Sequence, residues 1–176
     1  MRQTLQEQKN ATVYQYRLVN KIDIYPRLLQ TYKIAPFVGI AIEIILFGWN
    51  GLLFGLIGLP AITLLRFILN RLTLLRVDNY QRQRWGWNIT IPYMGYSPVS
   101  EVKLGLYRKT ELTMFWIGLC VLGALFPWIK QSGFCGLLLW HLWLAIPGLI
   151  ICLKLRRQQH DGVVKLESEN ISYYHR

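Results

Sequence analysis

Residues 35–69 read APFVGIAIEIILFGWNGLLFGLIGLPAITLLRFIL, an apolar run interrupted by one carboxylate, one Asn-Gly pair and one late arginine. A helix that crosses a bilayer once needs about 20 residues, so this run is too long for a single pass. Asn50-Gly51 is a strong turn signal near its middle. The stretch therefore predicts a helical hairpin, with helices over 35–49 and 52–69. A second apolar region, 112–155, is broken by Lys130-Gln131-Ser132-Gly133 and predicts helices over 113–129 and 134–153. The expected fold is an all-α integral membrane protein with four transmembrane helices in two hairpins, 35–69 and 113–153. An N-terminal segment (1–34), a linker (70–112) and a tail (154–176) complete the chain.

Composition supports that class. Charged residues make up 16% of the chain against about 25% in soluble domains, and the deficit falls in the two apolar runs. In a soluble protein a net charge of +11 suggests nucleic acid as a partner. The distribution argues otherwise. Six of the twenty Lys and Arg residues lie in 1–34, seven in 70–112 and five in 154–176, leaving only Arg66 and Lys130 elsewhere. By the positive-inside rule both termini and the linker are expected in the cytoplasm, in a plasma or inner membrane, with anionic headgroups as the partner of the basic flanks. The first 34 residues contain no apolar core of a signal peptide, so the first hairpin is expected to direct insertion itself. Trp49 and Trp128 flank the two outer turns as interfacial anchors.

The polar segments carry weaker signals. Residues 12–19 read as a strand, 22–25 as its extension after a break, and 26–33 as a separate amphipathic helix lying in the membrane interface, with Arg27, Gln30 and Lys33 on one side. Residues 80–93 look extended, with Pro92 at an end or edge. Val99, Val102 and Leu106 have helical spacing, whereas Val102, Leu104 and Leu106 alternate as in a strand; the reading leans to an interfacial helix. The tail predicts a β-hairpin over 163–174. Segments 12–19, 87–93 and 163–174 are expected to assemble into one small cytoplasmic β-rich patch. Gly39 and Gly118 each precede a turn tryptophan by ten residues, a faint internal likeness that chance explains as well.

Glu43 is the residue that membrane insertion does not explain. It lies roughly 10 Å below the first outer turn, where a carboxylate costs on the order of 2.5–3.5 kcal/mol and so needs protein, water or a partner. His141 sits at a similar depth in the last helix. Arg66 lies roughly 12 Å deeper by helix rise. A Glu43–His141 pair moving protons or cations is one reading; a neutral Glu43 hydrogen-bonded within the bundle is the other. Gly48, Gly51, Gly55 and Gly58 are expected to pack helices closely, within the hairpin or between subunits. Trp85 and Trp87, interleaved with Arg82 and Arg84, resemble a single-strand nucleic-acid surface but read more simply as membrane-interface anchors.

Cys120, Cys135 and Cys152 lie in apolar runs without the short spacing of a metal or redox site. No nucleophile elbow, zinc-protease motif or phosphate loop occurs in the sequence. No cofactor or metal is expected, and neither is enzymatic activity. The expected role is a non-catalytic accessory or scaffold subunit of a secretion, transfer or transport assembly, with a membrane-protein partner or as a homo-oligomer. Its alternative is a small oligomeric transporter or channel with Glu43 and His141 in an ion or proton pathway. A third possibility is a sensor whose cytoplasmic strands bind a ligand.

Overall fold

The computed structural model describes residues 17–158, 162–167 and 170–175. The described residues are mostly helical, 64%. In order it forms β1 (Arg17–Asp23), α1 (Pro26–Phe47), α2 (Trp49–Leu74), a short α3 (Asn79–Arg82), β2 (Trp85–Asn88), β3 (Gly95–Pro98), β4 (Val102–Lys103), α4 (Leu104–Leu125), α5 (Gln131–Lys154), β5 (Val163–Leu166) and β6 (Asn170–His175). Three helices, α1, α2 and α5, are long and apolar enough to cross a membrane. α4 is not among them, because Arg108, Lys109 and Glu111 occupy its first turns and leave an apolar part of only about 21 Å.

The hairpins form where the apolar runs predict them, with different boundaries. The interfacial helix over 26–33 and the first span are one continuous helix. Pro26 sits at its first turn, where the missing N–H costs nothing. The first outer turn falls at Gly48, whose φ of +59° suits glycine. Asn50 and Gly51 lie inside the first turn of α2 instead. A methyl group on Gly51 would collide with the Glu43 carbonyl, so Gly51 serves close approach of α1 and α2 rather than reversal of the chain.

α5 is the central helix. Half of its most apolar stretch, 50%, is buried, against 11% for α1 and 17% for α2. Successive residues of a helix point about 100° apart, and three successive residues of α5 enter glycine notches on three different helices. A methyl on Gly39 of α1 would lie 2.7 Å from Leu139, and one on Gly58 of α2 would lie 2.5 Å from Trp140. One on Gly118 of α4 would overlap the His141 ring. Trp140 also donates from Nε1 to the Gly55 carbonyl at 2.6 Å.

Prolines produce the most specific helix–helix contact. Pro36 in α1 has no N–H for the carbonyl of Tyr32, four residues back, and Pro147 in α5 has none for that of Trp143. Each freed carbonyl accepts from the side chain that belongs to the other. Trp143 Nε1 donates to Tyr32 O at 2.9 Å, and Tyr32 Oη donates to Trp143 O at 3.0 Å. The two rings stack, with centroids 4.7 Å apart and planes 8° from parallel. This reciprocal clasp restores both deleted hydrogen bonds.

The strands lie at the opposite end of the bundle from the two turns that join the paired helices, in two sheets rather than the single patch expected. One is four-stranded and antiparallel, in the order β1-β6-β5-β4; the other is the hairpin β2-β3. β1 pairs with β6 from Arg17↔His175 to Asp23↔Asn170, with a bulge at Val19. Residues 12–16 of the expected first strand lie outside the described residues. The leaning towards an interfacial helix around 99–106 is corrected. Val102 and Lys103 pair with Val164 and Val163, and the helix starts only at Leu104. Residues 80–82 of the segment expected to be extended belong to α3 instead. Val102, Tyr107, Leu155, Val164 and Tyr173, all almost wholly buried, join the sheet to the inner helix ends in one apolar core.

Candidate functional site

Two acids are buried among the helices, and they are held differently. Glu43 is 5% exposed. Its Oε2 has no hydrogen-bond partner and lies 3.3 Å from where a methyl on Gly55 or on Gly136 would be. The carboxyl therefore occupies a slot that glycines of α2 and α5 leave open. Among the described residues it makes no ion pair, either with Arg66 or with His141.

Arg66, one of the two partners considered for Glu43, is engaged elsewhere. Its Nη2 donates to Oε2 of Glu111 at 3.1 Å. Both side chains are largely buried, and a methyl on Gly148 of α5 would overlap the Glu111 carboxylate. Glu111 is the functional candidate that the sequence reading missed, since it assigned residues 70–112 to the cytoplasmic linker. A signal was present: counted from their outer turns, Arg66 and Glu111 lie at nearly the same depth. Beside the pair is a small polar cavity of about 30 Å³, lined by Thr63, Tyr93 and Tyr107 among others, enough for about one water. Arg66 Nη1 is buried without a protein partner, which suits a water there.

His141 is fully buried. Its Nε2 lies 3.2 Å from the Phe115 carbonyl, and because a carbonyl only accepts, Nε2 carries the proton. The ring stacks on Phe115 at 6.0 Å, and Nδ1 has no partner. Geometrically His141 is a knob in the Gly118 notch that ties α5 to α4.

The remaining candidates divide by exposure. Trp49 and Trp128 are 70% and 80% exposed beside the outer turns, and Trp87 is also largely exposed. Trp85 is buried in the core and is not an interface anchor, whereas Trp87, two residues on, lies outside that core and packs on Phe67. Arg84 bonds to the Tyr80 hydroxyl and the Glu101 carbonyl, so it braces the α3–β2 corner. Asn70, wholly buried, donates to Tyr96 O at 2.8 Å and holds the β2-β3 hairpin against α2. Burial pushes the Tyr93 phenol well above its ordinary range, so it stays neutral at the base of the bundle. His160 and Asp161 lie outside the described residues.

An apolar crevice of about 250 Å³ opens between the first turns of α1 and the last turns of α5. Among the described residues no group of His, Cys, Asp and Glu side chains has metal-binding geometry. No known family, characterised protein or solved structure matches the chain.

Proposed function

We propose that the chain is a non-catalytic subunit of a larger membrane assembly. Its four long helices cross the bilayer, with both termini and the two sheets on the cytoplasmic side. Charge asymmetry supports that orientation. Broadly exposed Phe37, Ile45, Leu46, Leu56 and Leu64 on α1 and α2 support contact with lipid, since a soluble monomer rarely exposes so much contiguous apolar surface. α4 is the shortest span; in this reading its charged first turns stay at the cytoplasmic interface, with Glu111 neutralised by Arg66.

The observation that carries the docking role is the edge strand. β1 closes the four-stranded sheet at one side, and its Leu18 and Val19 are 48% and 52% exposed. The bulge at Val19 disfavours indiscriminate strand pairing, so we assign the partner contact to these apolar side chains. A photo-crosslinker at position 19 is expected to capture one stoichiometric membrane partner that survives mild-detergent purification. Leu18→Asp with Val19→Asp is expected to lose it, and Glu43→Gln to keep it. Solute or ion flux by the purified chain alone in liposomes, abolished by Glu43→Gln, overturns the reading. That outcome would support the second reading, a small transporter or channel, which one observation favours: Glu43 Oε2 and His141 Nδ1 are both buried without partners.

A further inference from the structure

The crevice between α1 and α5 begins at the Tyr32–Trp143 clasp and runs towards the sheets. Leu28 and Tyr32 form one wall, Pro147 and Ile150 the other, and Tyr93 and Ile171 lie at its base. The clasp pins the two helices at one level and, Ala35 apart, the helix residues of the lining lie between it and the sheets, up to Tyr32 in α1 and 146–154 in α5. The volume of about 250 Å³ is close to the lower end of ligand clefts, about 300–1,000 Å³. A helix, roughly 10–12 Å across, is too wide for it. Its walls offer almost no polar group to satisfy a peptide backbone. An extended hydrocarbon chain needs neither width nor polar partners.

Charge at the mouth selects the headgroup. Lys154 is itself part of the lining and is exposed, as are Arg156 and Arg157 just after it and Arg27 in the first turn of α1. The one carboxylate of the lining, Asp23, is paired with Lys21 at 3.9 Å, so the rim is net positive. In the membrane placement proposed above, on which this inference rests, the mouth lies at the level of the cytoplasmic-leaflet headgroups. We propose that the crevice is a binding site for one anionic phospholipid, with an acyl chain between α1 and α5 and the phosphate against Lys154. It is a built site rather than a patch of annular contact, because the clasp bounds one end and Tyr93 and Ile171 line its base.

Native mass spectrometry of the full chain in mild detergent tests this directly. The ligands are phosphatidylglycerol, phosphatidylcholine with the same acyl chains, and oleate. One retained phosphatidylglycerol is expected, held about fivefold better than phosphatidylcholine, the size of effect of about 1 kcal/mol from one lysine near anionic lipid. Lys154→Gln, an exposed substitution with little risk to folding, is expected to erase that preference. Ile150→Trp and Leu28→Trp fill the crevice from opposite walls and are expected to remove retention of every lipid, each checked for an unchanged thermal transition. Equal retention of phosphatidylcholine or oleate, or a preference untouched by Lys154→Gln, overturns the proposal. A chain that needs detergent for solubility but retains no phosphatidylglycerol overturns the lipid site alone. A chain soluble without detergent overturns the membrane placement itself.

Discussion

Glu43 and Glu111 are the two acids buried in the bundle, and they meet opposite solutions to the same problem. Glu111 has Arg66 at 3.1 Å and a small polar cavity beside it. Glu43 has a slot between glycines and no partner for Oε2. A carboxylate held by an arginine gains a charge partner at the cost of desolvating both groups; one held only by packing has no such partner. The difference teaches that burial alone does not mark a functional acid in this fold. Partner geometry separates an acid that joins helices through an ion pair from one that only fills a slot between glycines.

The largest expected effect breaks the paired side. Arg66→Leu leaves Glu111 buried without compensation and is expected to cost about 3–5 kcal/mol, read from unfolding of the detergent-solubilised protein. Arg66→Leu with Glu111→Leu should recover most of that loss, as buried ion pairs replaced whole by apolar residues often do. If the double variant is as unstable as the single one, the pair is not what joins α2 to α4.

Next comes a neutral counterpart, the clasp. Tyr32→Phe keeps the ring stack and strips the donor from Trp143 O, with an expected cost of about 1–3 kcal/mol. The same substitution in a Pro147→Ala background should cost much less, because residue 147 then supplies its own N–H. A double-mutant cycle measures that coupling; additivity would show that the Tyr32 hydroxyl does not replace the bond Pro147 removes.

Smaller effects test the unpaired side. Gly55→Ala places a methyl 3.3 Å from the Glu43 carboxyl, a flexible group that can shift, so a loss near the low end of the about 1–3 kcal/mol range for overpacking is expected. Glu43→Gln should be smallest, within about 0.5 kcal/mol of wild type. Glu111→Gln should be clearly more damaging than Glu43→Gln. Equal costs for the two, in the same unfolding assay, would erase the contrast between these acids.

The hairpins and the shared end of β1 and β6 were legible from residues 35–69, from the second apolar run and from the distribution of arginines and lysines. Spacing in the tail was enough to find β5 and β6. Glu111 was not legible, because its neighbours Arg108 and Lys109 made the segment look solvated; Arg66, 45 residues away, supplies the reason it is not. The turn was misplaced by two residues for a physical reason as well. Gly48 and Gly51 are both needed, one for a positive φ and one for contact between backbones, and sequence does not say which glycine does which. β4 escaped because two residues establish no period, and Trp85 was misread because Trp85 and Trp87, two residues apart on β2, share a face by alternation yet only Trp85 reaches the core.

The clasp also sets an order of events. Until α5 exists, the Tyr32 carbonyl in α1 has neither its helical donor nor Trp143, and its hydroxyl has no carbonyl to meet. In the proposed membrane placement an unsatisfied backbone group costs several kcal/mol, so a nascent chain would carry that debt until Trp143, 111 positions further on, is made. A chain truncated before residue 143 contains all of the first hairpin and still leaves it unclasped.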